Sequence, residues 1–332
     1  MKLLFVGDFE GNNGPASVNR ALRKHMPAHT LFSEEKTKYK RIYELIIKIR
    51  KVDVVIFSGL SQINIIGFRL AKVFGKKAAY LMHGCIDIEN KINQKFNSNS
   101  NILENKVLEE APMIICVSEY FMNEVKQKYP LYKSKFYYVN NGLEWSSFCS
   151  PSTPINTRDN NTIISVGGGI PQKNVISICK AVYKLNLEKN ANLKLVVVGK
   201  NGNDTNQIKS YPFVEYIGEV ESERMPFYYQ KSKVCVQNSI FETFGLAPIE
   251  ALMNGCDLLL SNNVGVKSIF SDYKKDDIIY DVYDINELSK KIEAKIIEGN
   301  NKRLINKIDK TETSVENAVK KIIKLLESQI NK

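Results

Sequence analysis

The chain has 332 residues, 43% hydrophobic and 25% charged, with a formal net charge of +11. That length fits two domains, and the balance of apolar and charged residues excludes disorder, collagen and coiled coil as its main character. The charge is uneven: residues 1–150 hold 22 Lys and Arg against 14 Asp and Glu, whereas residues 151–332 hold 25 against 22.

In chain order, the first half predicts strands at 2–7, 52–58, 78–83, 113–118 and 136–140. Each is a near-continuous apolar block, the pattern of strands covered on both faces in a parallel sheet. Amphipathic stretches such as 40–51 and 101–111 lie between them. The segment 149–161, with Pro151, Pro154 and many Ser, Thr and Asn, reads as an interdomain linker. The rhythm then restarts, with strands at 162–166, 193–199, 214–217, 233–237, 257–261 and 277–280. Repeated strand–helix units predict two doubly wound α/β domains, 1–150 and 151–310. A last helix, 311–332, carries a capping box at Thr313-Ser314-Val315-Glu316 and an apolar stripe of Val315, Ala318, Val319, Ile322, Leu326 and Ile330. Either domain could receive that stripe.

The densest basic run is Lys36, Lys38, Lys40, Arg41, Lys48, Arg50 and Lys51. It reads equally well as a solvated helical face and as a surface drawn to anionic lipid, at up to about 1 kcal/mol per basic residue. Without a reader motif or basic–aromatic interleaving, nucleic acid is not an expected partner. No signal peptide opens the sequence, and no run approaches the roughly 18 apolar residues of a membrane span. The expected location is the cytoplasm, with the inner membrane face as a peripheral site. Six scattered cysteines read as reduced thiols, and three separated histidines give no reason to expect a metal.

Ligands of open α/β sheets sit at the carboxyl ends of the strands, so the segments that follow strands carry the candidates. The segment 7–17 has glycines at 7, 11 and 14 before a helix, so backbone around Gly14 could meet phosphate or sugar; such loops also serve simply as turns. At the matching place in the second half stand Gly167, Gly168 and Gly169, followed by Lys173, a compact cation suited to phosphate or else a surface lysine. The richest stretch is 238–251, where Glu242 and Glu250 stand eight apart around Thr243, Phe244, Gly245 and Pro248. Pro248 suits a first helical turn, which puts Glu250 on the helix and Glu242 on the loop before it. Both carboxylates could hold sugar hydroxyls, and both could equally be exposed or cap the helix.

The Glu242 to Glu250 spacing resembles the E-x7-E pattern of retaining GT-B glycosyltransferases, glycosyltransferase family 4 in particular. Residues 238–245 are similar to that family's "PSxxExFG" turn, and 250–256 to its "EAMAxGxP" helix and turn. Residues 262–265, 196–202, 216–220, His83-Gly84, 117–119 and 139–143 follow in the family's order. The resemblance implies a GT-B fold, with two Rossmann-like domains facing a central cleft. It implies a hexosyltransferase that uses a nucleotide diphosphate sugar and needs no metal or other cofactor. The expected acceptor is a saccharide in cell-surface polysaccharide synthesis, and the basic first half motivates a lipid-linked one.

Carried over residue by residue, Glu250 would bind the donor ribose and Glu242 the donor sugar. Thr243, Phe244 and Gly245 would offer backbone N–H groups. Lys173, in the loop opened by Gly167, would neutralise the diphosphate. Gly14 would line the phosphates from the other domain, and His83 would stand near the anomeric carbon and the acceptor. The family usually has an arginine five residues before the lysine, where this chain has Gly168; Arg224 and Lys267 are candidate substitutes. A nucleotide-sugar epimerase and a non-catalytic nucleotide-sugar-binding protein remain alternatives. A dehydrogenase is disfavoured because neither glycine loop reads GxGxxG.

Overall fold

The computed structural model describes residues 1–11, 13–95, 97–148 and 158–330; of Gln329 and Ile330 it describes the backbone. The expected linker therefore lies largely outside the described residues, as does Cys149. The chain divides into two compact units, one formed by Met1–Lys91, Lys95–Glu144 and Lys310–Lys332, the other by Ile92–Gln94 and Trp145–Asp309.

The first unit runs β1 (Leu3–Val6), α1 (Gly14–His25), β2 (Leu31–Phe32), α2 (Lys38–Arg50), β3 (Val54–Ser58), α3 (Gln62–Val73), β4 (Lys77–Met82), α4 (Ile86–Ile92), α5 (Ser98–Glu110), β5 (Ile114–Cys116), α6 (Glu119–Lys128) and β6 (Phe136–Tyr138). Its six strands are parallel in the order β2-β1-β3-β4-β5-β6. Every residue of β1, β3 and β5 is buried, which is why their sequences are apolar without alternation. Strand β2 was not read from sequence. With two residues it offers no run to detect, and its pairing to Leu4 and Phe5 of β1 defines it.

The second unit runs β7 (Asp159–Val166), α7 (Val175–Lys189), β8 (Lys194–Val198), α8 (Thr205–Lys209), β9 (Val214–Gly218), α9 (Met225–Lys231), β10 (Ser232–Gln237), α10 (Ala247–Met253), β11 (Asp257–Ser261), β12 (Ile278–Ile279), α11 (Ile285–Glu298) and α12 (Asn301–Asn306). Its strands are again parallel, in the order β12-β11-β10-β7-β8-β9. Leu195, Val197, Val234, Val236 and Leu259 from its sheet meet Ile178, Val182 and Leu185 of α7 and Leu288 and Ile292 of α11 in one core. Each such side chain contributes roughly 1.5–3 kcal/mol by leaving water.

The strand expected at 277–280 is shorter than read. Asp277 is fully buried and binds Lys295 at 2.6 Å, Arg303 at 2.6 Å and Asn300 at 2.8 Å. Burial alone would raise its pKa, but the hydrogen bonds from those partners outweigh it and the carboxyl is held low.

The chain's last helix, α13 (Val315–Ile330), packs on α1 in the first unit. Val315, Ala318, Val319, Ile322 and Leu326 are all buried. The cap differs from the expected box by one residue: Ser314, not Thr313, accepts from the Asn317 N–H at 3.1 Å. Thr313 instead lends its carbonyl to the Leu143 N–H at 2.8 Å, which ties the helix start to the segment after β6.

Two topological switch points follow from these orders. In the first unit the order reverses between β1 and β3, in the second between β7 and β10. Those are the places where a doubly wound sheet opens a ligand crevice beyond its carboxyl ends.

Candidate functional site

At the second unit's switch point, the turn after β7 meets the loop after β10. Lys173 Nζ forms an ion pair with the Glu242 carboxylate, its side chain 22% and the carboxylate's 15% exposed. Gly167 makes that reach feasible: a Cβ there would stand 2.3 Å from Lys173 Cγ, so the lysine stem lies across the glycine backbone. Gln172 fastens the two loops from behind. Its amide donates to the Phe241 carbonyl at 2.7 Å, and its own carbonyl accepts from the Ile240 N–H at 2.9 Å.

The segment 262–266 is stitched to the same loop. Glu242 N–H donates to the Asn263 carbonyl, Gly265 N–H to the Glu242 carbonyl, and Val266 N–H to the Phe244 carbonyl. Phe244 is buried at 2% exposure, so its ring is a packing element that fixes the backbone of Thr243 and Gly245, both half-buried.

Glu250 lies on α10, with Pro248 in the first turn. Its carboxylate accepts from the fully buried Tyr229 hydroxyl at 3.0 Å. Burial raises the Glu250 pKa against the lowering effect of that bond. Tyr229 belongs to α9 and carried no signal in the sequence; the fold alone brings it under Glu250.

The three glycines after β7 do not form an open phosphate cradle. Gly167 and Gly168 both donate to the Val198 carbonyl and Gly169 donates to that of Lys200, so their N–H groups are spent on the turn after β8. Gly168 has φ +60°, and a Cβ there would fall 2.1 Å from the Lys200 carbonyl oxygen. An arginine cannot occupy this position on this backbone. Of the candidate substitutes, Arg224 is exposed just before α9. Lys267 is bound to the carbonyl and side chain of Asn262, and burial lowers its pKa.

The other two candidates belong to the first unit. Gly14 opens α1 in an exposed position with nothing within 4 Å of where a Cβ would be, so its backbone is approachable. The cap beside it is Asn13, whose side chain accepts from Ala16 N–H. His83 follows β4, partly exposed, with burial of its ring lowering its pKa to about 4. Its Nε2 lies 2.8 Å from Ser58 Oγ. Sequence reading missed Ser58 and Asn19 behind it. The available signal was a polar Asn19 on the buried Ala16–Leu22 face of α1.

The basic run is partly spent on structure. Arg41 and Lys48 both pair with buried Glu44, Lys36 pairs with Glu10, and Arg50 stacks over Phe74 at 4.7 Å. Lys38, Lys40 and Lys51 are exposed and without ion pairs among the described residues; Tyr39 and Tyr43 of α2 are 85% and 68% exposed. Among the described residues no helix is long and apolar enough to cross a membrane, and no group of three or more His, Cys, Asp or Glu is placed to hold a metal. The five described cysteines are buried and free.

Residues 152–312 match the family model described as Glycosyl transferases group 1, and residues 8–145 match that described as Glycosyltransferase Family 4. The O-antigen chain mannosyltransferase B of Escherichia coli is 22% identical over 181 residues, covering 50% of this chain and 47% of that protein. The chain thus matches about half the length of that relative. Among solved structures, Anabaena HepE in complex with UDP-glucose aligns with a TM-score of 0.71 at 13% identity, over 99% of this chain and 100% of that one. Sucrose-phosphate synthase from Thermosynechococcus elongatus aligns at 0.68 and 14%, over 99% of each chain. The catalytic domain of starch synthase IV from Arabidopsis thaliana, bound to ADP and acarbose, aligns at 0.69 and 12%, over 100% of this chain and 99% of that one. At these identities the solved structures establish the fold.

Proposed function

We propose, from the premise that this chain belongs to the glycosyl transferases of group 1 and Family 4, that it moves a hexosyl unit from a nucleotide diphosphate sugar to a saccharide or lipid-linked saccharide acceptor with retention. The observation that carries this reading is the Lys173–Glu242 pair at the β7/β10 switch point, with Glu250 on the helix that follows. A departing nucleoside diphosphate gains negative charge, and Lys173 is the cation set to stabilise it. Phosphate would draw Lys173 off Glu242, leaving that carboxylate to accept hydrogen bonds from sugar hydroxyls. Glu250 is the candidate for the ribose diol. Thr243, Phe244 and Gly245 offer backbone N–H groups, and the donor phosphate itself helps to deprotonate the acceptor during same-face attack.

The relative that builds O-antigen chains supports a polysaccharide role, and the exposed Lys38, Lys40, Lys51, Tyr39 and Tyr43 support work against an anionic membrane on its cytoplasmic side. The backbone at Gly168 leaves no room for the arginine, so Lys173 is the side-chain cation this reading relies on.

Thermal stabilisation by UDP, GDP, ADP and dTDP, with and without magnesium, tests the reading. Stabilisation by one of them, independent of magnesium and lost in Glu250→Ala, supports it and selects the donor base. No shift with any diphosphate removes it.

A further inference from the structure

A chain of hydrogen bonds crosses the first unit's switch point, and its direction is set by chemistry. Asn19 Nδ2 donates to the Asp8 carbonyl at 2.9 Å. A carbonyl accepts and cannot donate, so this contact fixes which way the Asn19 amide faces. Its Oδ1 is therefore turned to Ser58, whose Oγ donates to it at 2.6 Å. A hydroxyl has one proton. Having given it to Asn19, Ser58 can act only as an acceptor towards His83 Nε2, 2.8 Å away. His83 must then carry its proton on Nε2. A neutral imidazole has one N–H, so Nδ1 is left as a lone pair, with no hydrogen bond to it among the described residues.

The members come from three adjacent strands of the sheet. Asp8 follows β1, Ser58 ends β3, and His83 follows β4, all at carboxyl ends. Asn19 reaches them from α1. Asn19 is 2% and Ser58 8% exposed, and such groups are costly to bury unless bonded as these are. Burial of the ring also keeps the imidazole neutral at ordinary pH, so it does not revert to a double donor.

We propose that Asn19 and Ser58 are positioning residues that hold His83 in its Nε2–H tautomer, so that Nδ1 accepts a hydrogen bond from a hydroxyl of the sugar substrate. The proposal rests on the glycosyltransferase reading and deepens it. A neutral acceptor binds a hydroxyl, which has a proton to give. It does not bind a phosphodiester, which has none at neutral pH. The locked tautomer thus assigns His83 to the saccharide rather than to the diphosphate.

The lock is read directly from the ring-nitrogen shifts of ¹⁵N-histidine-labelled protein, with no ligand present. The chain has three histidines, and His83→Gln identifies the signals of His83. Wild type is expected to show a protonated Nε2 and a lone-pair Nδ1. Asn19→Leu frees the Ser58 proton to point at Nε2 and moves the population towards Nδ1–H; Ser58→Ala gives a mixture, and Ser58→Thr restores the wild-type pattern. Sugar transfer in Asn19→Leu is expected to fall roughly tenfold in kcat, the worth of one well-made hydrogen bond, with nucleotide stabilisation unchanged. An Nδ1–H signal in wild type, an unmoved tautomer in both Asn19→Leu and Ser58→Ala, or a shifted tautomer with unaltered kcat overturns the proposal. Loss of nucleotide stabilisation in wild type would instead overturn the glycosyltransferase reading, and the tautomer measurement separates the two.

Discussion

Lys173 crosses the backbone of Gly167 to pair with Glu242, so the cation proposed for the diphosphate is held by the carboxylate proposed for the sugar. Each group keeps the other partly desolvated and in place, which makes the site preorganised and also self-competing. A donor has to exchange one ion pair for another.

Lys173→Ala is expected to lower the transfer rate by about 10²–10³, the cost of losing one preorganised group aimed at developing charge. Glu242→Gln separates the two roles. It frees Lys173, so nucleoside diphosphate binds at least as tightly as in wild type while transfer falls. Steady-state kinetics with calorimetric titration of the diphosphate checks both. Weaker diphosphate binding in Glu242→Gln would refute the competition.

Gly168→Ala is expected to destabilise the second unit by about 2–5 kcal/mol, from a left-handed φ combined with a collision on the Lys200 carbonyl. Gly168→Arg should be worse and should not raise activity. Denaturant unfolding of purified variants measures this. A stable, faster Gly168→Arg would mean that the backbone can move aside and that the missing arginine was a functional loss.

The His83 pKa sits at about 4, against an ordinary value of 6.5. Below pH 6.5 the unfolded chain takes up a proton that the folded chain refuses, so stability falls as pH drops from 6.5 towards 4. This one group accounts for on the order of 3 kcal/mol across that window. His83→Gln should show a correspondingly shallower acid limb in urea unfolding at stepped pH, with little difference from wild type above pH 7. Parallel acid limbs would mean that the ring is not desolvated.

Charge reversal at Lys38, Lys40 and Lys51 together is expected to abolish binding to vesicles rich in anionic lipid, without loss of stability. Lys48→Glu should instead destabilise the first unit, because Lys48 bonds buried Glu44 and the Phe32 carbonyl. Vesicle sedimentation alongside thermal melting distinguishes them. Vesicle binding that survives the triple reversal would remove the membrane face from the functional reading.

Most strands were legible because parallel strands buried on both faces must be apolar throughout, as Val54–Ser58 and Asp257–Ser261 are once their terminal polar residues are set aside. Leu31–Phe32 was not legible, since two residues become a strand only through a neighbour. The position of Glu250 on a helix with Pro248 at its start followed from local rules, because proline's fixed φ and missing N–H suit a first turn and nothing distant is involved. The cap of the last helix was placed one residue early, because Ser314 and Thr313 are equivalent locally and the pull of Leu143 chooses between them.

What the sequence determined by itself is the sheet class, the segments that end strands, and the residue types able to meet phosphate and sugar there. These depend on periodicity and on chemistry confined to a few neighbouring positions. The tertiary structure decided which groups meet. It brought Lys173 onto Glu242 across 69 residues of chain, put Tyr229 beneath Glu250, and ran Asp8, Asn19, Ser58 and His83 into one directed chain. It also set the backbone of Gly168 close against the Lys200 carbonyl. Hydrogen bonds and steric exclusion act over about 3 Å, and sequence separation does not report that distance until the strands are set side by side.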